Sequence, residues 1–156
     1  MTFLDTEPKG SILMRTLMAS IFVAFITTGA VGQDIPLIDP EYENLSGDYA
    51  QCAAYFRLVY FAMESSDENE AATAYRELED SAMFYSLLLA SKGREQDVAV
   101  NVTNSRIEMN MKLMKEEADN RNENISVLIN KYHFNCKELS ENTPELVMQA
   151  IRDATK

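Results

Sequence analysis

The sequence predicts an all-α protein, an up-down four-helix bundle with a short additional C-terminal helix. Three observations lead to this prediction. From residue 45 onward, apolar residues recur at spacings of three and four, as they do on one face of an α-helix. Glycine and proline are almost absent from this region, which contains only Gly47, Gly93 and Pro144. Short polar or charged stretches separate the periodic segments and predict the turns between helices.

Four apolar stripes mark the long helices, and each stripe is expected to face the bundle core. The stripes are Leu45, Tyr49, Cys52, Phe56, Val59 and Met63; Ala71, Tyr75, Leu78, Ala82, Tyr85 and Leu89; Val100, Asn104, Ile107, Met111, Met114 and Ala118; and Ile125, Ile129, Tyr132, Cys136 and Leu139. Asn104 is the polar member of the third stripe. It is either a buried residue that fixes the register of the bundle or a sign that the helical phase is wrong. Thr143 as N-cap and Pro144 at the first helical position are expected to open the short last helix.

Residues 14–32 have the features of a secretory signal peptide. Arg15 supplies the positive charge, residues 17–26 form a mainly apolar run, and residues 30–32 place small side chains at the expected cleavage site. The alternative is an uncleaved anchor, because residues 16–33 carry no charge and approach the ~20 residues that span a bilayer. We favour cleavage, which makes the protein periplasmic or secreted and leaves it without a membrane segment.

The remaining chain divides into three further segments. Residues 1–13 carry Asp5 and Glu7, which do not suit the basic start of a signal peptide, so they are predicted to be an untranslated or disordered extension. Residues 33–44 contain two prolines and several acids without helical period, and we expect an extended arm there. Residues 45–156 are predicted to form the bundle, which is long enough to bury a core of its own.

The net charge of the chain is −11, and it stays at −11 without the first 32 residues, because these contain two basic and two acidic residues. Strong negative charge disfavours binding to nucleic acid phosphates and to anionic membranes. We therefore expect no nucleic acid partner.

The two cysteines test the predicted topology. Cys52 lies near the start of the first helix and Cys136 near the end of the fourth, and in an up-down bundle these positions are at the same end. Export to an oxidising compartment would allow them to form a disulfide. The bond requires a chain break near Asn120, because one continuous helix would carry Cys136 to the far end.

Residue types that usually carry catalysis or hold metals are sparse. His133 is the only histidine, it lies beside the core stripe, and it has no companions for a zinc site. Met109 and Met111 point to different sides of a helix, and Met111 and Met114 belong to the core stripe, so these methionines do not indicate a copper site. We expect no catalytic residue, no metal and no cofactor, and hence no enzyme.

The first helix has more apolar surface than one stripe explains. Tyr55, Leu58 and Phe61 lie off its core stripe, and a helix that is apolar all round must be covered on every side. One interpretation is that the C-terminal helix covers them. The other is a binding surface for a protein partner or a second copy, with Arg57 pairing with a partner's carboxylate.

These observations predict an exported, non-catalytic protein-binding module with an accessory, inhibitor or immunity-like role. The alternative is a periplasmic carrier that holds a small apolar ligand in the bundle core.

Overall fold

A computed structural model describes residues 38–156, except Asp67 and the side chain of Asn69. These residues belong to the compact unit Pro36–Lys156. The predicted extension 1–13, the signal peptide 14–32 and residues 33–37 of the arm therefore lie outside the described residues. The described part is all-α, as predicted, and contains no strand. Its elements are α1 (Pro40–Glu64), α2 (Asn69–Ala90), α3 (Gln96–Glu117), a 3₁₀ turn (Asn122–Asn124), α4 (Ile125–Glu141) and α5 (Glu145–Ala154).

Helix α1 begins at Pro40, so the predicted arm 33–44 is wrong over its last five residues. The Asp39 side chain accepts a hydrogen bond from the backbone N–H of Glu41, and Pro40 occupies the first helical position. Asp39 and Pro40 together form a helix start, because the carboxylate satisfies a free N–H and proline has none to lose. At α5, the first helical residue is Glu145 rather than the expected Pro144.

Two of the turns between helices contain residues with positive φ. Gly93, between α2 and α3, has a φ of +80°, a conformation that glycine adopts without strain. Asp119 and Asn120 also have positive φ, at 52° and 56°, and they separate α3 from the turn that leads into α4. The break that the predicted disulfide requires is therefore present.

Helix α1 lies at the centre of the described bundle and contacts α2, α3 and α4. Two contacts show how α1 and α4 are oriented. The Tyr49 hydroxyl donates to the Leu139 carbonyl at 3.2 Å, and Cys52 is bonded to Cys136. Because the later residue of α1 contacts the earlier residue of α4, the two helices are antiparallel. Because neighbours surround α1, its side chains are buried on several faces rather than along one stripe.

Two predicted stripes are correct only in part. In α3, Ile107, Met114 and Ala118 are buried as predicted, but Asn104 is exposed and Thr103 is buried, so the helical phase is wrong at this polar position. In α2, Glu79 and Ser86 occupy buried positions that an apolar pattern does not reveal. Helix α5 packs against α2 and buries Val147. No helix in the described part of the chain is long and apolar enough to span a bilayer.

Candidate functional site

The predicted binding face of α1 is largely interior. Tyr55 is fully buried, Leu58 is 9 % exposed, and only Phe61, at 47 %, offers a large surface. The Tyr55 hydroxyl lies 3.3 Å from Nδ1 of His133 on α4, and its ring lies 6.2 Å from that of Tyr132. Helix α4 thus covers this face, where the sequence suggested either the C-terminal helix or a partner.

Burial has a chemical consequence for Tyr55. Loss of solvent around the phenol, together with the neighbouring Tyr75, raises the pKa of Tyr55 well above its usual range. The hydroxyl is therefore protonated at any physiological pH and acts as a hydrogen-bonding group between α1 and α4. His133 is half-buried, as the sequence predicts for a structural histidine.

Arg57 forms an ion pair with a carboxylate of its own chain. Its Nε donates to Oε1 of Glu79 on α2 at 2.6 Å, and Nη1 lies 3.9 Å from the Met111 sulfur. The side chain of Glu79 is only 10 % exposed, so this ion pair is largely shielded from water. The guanidinium that we expected to hold a partner's carboxylate is already engaged in joining α1 to α2.

The predicted disulfide is present. Cys52 and Cys136 are bonded, with a Cα–Cα distance of 5.3 Å, and both are buried. The bond joins α1 to α4 and closes a segment of 84 residues.

A second polar cluster ties three helices together near the α2–α3 turn. The Glu43 carboxylate accepts hydrogen bonds from Arg94, at 2.5 Å, and from Arg106. Arg106 also donates to the Ser46 hydroxyl, and Ser46 and Ser86 donate to each other's backbone carbonyls, each at 2.9 Å. Burial would raise the pKa of Glu43, but the hydrogen bond from Arg94 and the charge of Arg106 outweigh it and lower the pKa. The cluster is internally paired, and we assign it a structural role.

The surface between α2 and α3 contains an apolar groove. It consists of two adjoining hollows of about 300 Å³ and 340 Å³, and Phe84 and Leu87 line both. The first hollow extends to Val100 and Asn104 on α3. We call this feature the α2–α3 groove; its lining residues are Asp80, Met83, Phe84, Leu87, Leu88, Ser91, Arg94, Gln96, Val100, Thr103 and Asn104.

Two side chains distinguish the groove from an ordinary crevice. Phe84 is 56 % exposed, although burying a phenyl ring is worth about 2 kcal/mol. Thr103 is 2 % exposed, and its hydroxyl has no hydrogen-bond partner among the described residues. An exposed aromatic ring above an apolar floor is typical of surfaces that bind another molecule.

The charged side chains that line the groove are Asp80 and Arg94, and Arg94 is paired with Glu43. Helical spacing places three more acids beside the lining residues, and with Asp80 they form what we call the acidic rim: Glu77 on α2, and Asp97 and Glu108 on α3. Arg76 lies one turn before Asp80, but its guanidinium lies over the ring of Tyr60, 5.6 Å from the centroid.

The sequence of α2 contains an apolar segment at this site that extends beyond the predicted core stripe. From Ala82 to Ala90, Ser86 is the only residue outside the apolar and aromatic classes. This segment of α2 is therefore apolar on nearly all sides of the helix, as is the segment of α1 that contains Tyr55, Leu58 and Phe61. In α1, Tyr55 and Leu58 belong to the core and Phe61 is exposed, whereas in α2 the exposed residue is Phe84.

The described residues contain no group of three or more histidine, cysteine, aspartate or glutamate side chains placed to hold a metal ion. Comparison of the chain with models of protein families, with curated proteins and with solved structures found no match.

Proposed function

We propose that this protein is an exported, non-catalytic binding module that engages a protein partner through the α2–α3 groove. The observation that carries the proposal is the exposed ring of Phe84, which stands between two adjoining apolar hollows. Aromatic anchors at the centre of an apolar patch contribute much of the affinity in protein interfaces. An accessory, inhibitor or immunity-like role suits such a module.

The groove replaces the α1 face as the proposed contact. Tyr55 and Leu58 are buried beneath α4, so a partner cannot reach them without unfolding the bundle, and the guanidinium of Arg57 is already paired with Glu79. Phe61 remains exposed, and its ring contacts that of Tyr60 much as the ring of Phe84 contacts that of Tyr85, at 5.1 and 5.6 Å between centroids. Phe84 differs in that it lines two adjoining apolar hollows. The α2–α3 groove offers a wider apolar surface.

The disulfide supports the proposal of export. Disulfides such as Cys52–Cys136 persist in oxidising compartments and are rare in reducing ones. A buried bond that joins two helices of the core is typical of a structural disulfide. We therefore propose a periplasmic or secreted location, reached through the signal peptide at residues 14–32.

Native mass spectrometry of protein recovered from the exported fraction tests the proposal. We expect a chain that starts near Gln33, contains the disulfide and carries a partner of defined mass and stoichiometry. The partner should be lost in Phe84→Asp and retained in Phe134→Asp, because Phe134 is 75 % exposed on α4, away from the groove. A partner that survives Phe84→Asp, or an exported chain without one, would contradict the proposal.

Carriage of a small apolar molecule is the second candidate, and Thr103 is the observation that favours it. Thr103 lines the hollow of about 300 Å³, and rotation of its side chain toward a bound ligand would give the buried hydroxyl the hydrogen bond that it lacks. This places the ligand between two helices at the surface rather than in the bundle core. Lauric acid serves as the probe, and a carrier should unfold at a higher temperature in its presence, with the gain lost in Thr103→Val. An unchanged unfolding temperature would exclude this class of ligand.

A further inference from the structure

We infer that the partner segment held by the α2–α3 groove is a cationic amphipathic helix. This inference rests on the proposed function and adds the secondary structure and the charge of the partner.

The shape of the groove suits a helix. At one end of the groove, Asp80 of α2 lines the same hollow as Asn104 of α3. At the other end, Ser91, which follows α2, lines the same hollow as Gln96, the first residue of α3. The two helices are therefore antiparallel, and the groove follows their common direction. From Asp80 to Ser91 it extends about 16 Å, or three helical turns, at 1.5 Å per residue. A third helix can lie along such a groove with apolar residues at positions i, i+3 or i+4, and i+7.

The charges around the groove indicate the polar face of that helix. The four acids of the rim are exposed, and no ion pair within the described residues engages Glu77, Asp80, Asp97 or Glu108. Arg94 is the one basic side chain among the described residues lining the groove, and it shares the Glu43 carboxylate with Arg106. Basic residues beside the apolar stripe of a partner helix would therefore meet unpaired carboxylates.

The same charges disfavour a second copy of this chain as the occupant. Each copy carries a net charge of −11, so two copies would bring acidic rims together. Like charges placed opposite one another across an interface weaken association and slow the encounter. Electrostatics thus select a partner of opposite sign.

Three synthetic peptides, each about four helical turns long, test the inference. The first has a leucine stripe with lysines on its polar face, and the second replaces the lysines by glutamates. The third contains the residues of the first in scrambled order. Fluorescence anisotropy at low and physiological salt gives their affinities for the exported, disulfide-bonded protein. We expect the lysine peptide to bind at least about tenfold more tightly than the other two.

Variants connect this binding to the groove. Phe84→Ala should weaken binding of the lysine peptide about tenfold or more, and Phe134→Ala should leave it within about twofold. Asp80→Asn combined with Glu77→Gln should weaken binding about threefold and reduce its salt dependence. Circular dichroism and urea unfolding check that each variant folds as the wild type does, since all four positions are exposed.

Two outcomes would overturn the inference. Equal binding of the lysine and glutamate peptides would contradict the proposed selection by charge. Equal effects of Phe84→Ala and Phe134→Ala would show that the peptide does not bind in the α2–α3 groove. The proposed function fails separately, when native mass spectrometry finds no partner that depends on Phe84. A Phe84-dependent partner without preference for the lysine peptide would refute the inference alone.

Discussion

Arg57 on α1 and Glu79 on α2 form an ion pair in which Nε donates to Oε1 at 2.6 Å. The sequence marked Arg57 as a cation on an apolar helix and therefore as a candidate for a partner's carboxylate. The sequence pattern does not show that Glu79 is buried on the next helix, where it pairs with Arg57. A nearly buried carboxylate requires a positive partner, because water no longer solvates its charge.

Removing the Arg57 charge should destabilise the fold. Arg57→Met keeps most of the apolar stem but leaves the Glu79 carboxylate buried without a partner. We expect a loss of about 2 kcal/mol in the free energy of unfolding, less than for a fully buried pair because Arg57 partly reaches solvent. Urea unfolding followed by circular dichroism measures it.

The double variant and a surface pair provide the controls. Arg57→Met with Glu79→Gln should recover much of the loss, since no uncompensated charge remains. Lys137→Met removes an exposed ion pair with Glu141 and should change stability by less than about 0.5 kcal/mol. Equal losses in Arg57→Met and Lys137→Met would show that the inner pair has no special role.

The disulfide should contribute strongly to stability. Replacing both Cys52 and Cys136 by alanine opens a closed segment of 84 residues, and the chain-entropy relation gives a loss of about 4.5 kcal/mol. Urea unfolding of the oxidised wild type, the reduced wild type and the double variant measures the effect. Stability that is unchanged by reduction would contradict this structural role.

Acid should weaken the cluster around Glu43. The pKa of Glu43 is lowered from its ordinary value of 4.5 in the folded protein. Its stabilising contribution is therefore fully present above pH 4.5 and is lost as pH falls through the lowered pKa. The difference in unfolding free energy between wild type and Glu43→Gln should stay constant above about pH 5 and shrink below it.

Urea unfolding across this pH range measures that difference, and Glu116→Gln is the control on an exposed acid of α3. The Glu116→Gln variant should follow the pH dependence of the wild type. A difference between wild type and Glu43→Gln that does not change with pH would mean that the arginines do not stabilise the Glu43 carboxylate.

The Thr103 hydroxyl should cost stability in the free protein. Thr103→Val replaces it by a methyl group of similar size and removes a buried polar group that has no hydrogen bond. We expect a gain of about 1 kcal/mol in the free energy of unfolding. Thr103→Ser keeps the hydroxyl and should give no gain, and a loss in Thr103→Val would reveal an existing hydrogen bond.

The sequence was sufficient for the fold class, for the turn at Asp119 and Asn120, and for the disulfide that depends on that turn. These features follow from local periodicity and from one geometric requirement between Cys52 and Cys136. The predicted start of α1 is wrong because proline usually interrupts a helix, whereas Pro40 occupies the first helical position, where proline is compatible with the helix.

The candidate site was harder to predict, because an apolar surplus on a helix does not reveal which neighbour covers it. In α1, α4 covers Tyr55, and in α2, Phe84 stays exposed. Polar residues in the core caused the other errors. Glu79 and Thr103 are buried against expectation, and an apolar pattern assigns such residues to the surface.

Site-specific photo-crosslinking tests the central claim most directly. A benzophenone side chain is placed at position 84 in one sample and at position 134 in another, and both samples are irradiated in the exported fraction. We expect one discrete adduct from position 84, competed by the same protein without the crosslinker, and none from position 134. The same adducts from both positions, or none from position 84, would contradict the claim that the α2–α3 groove binds a protein partner.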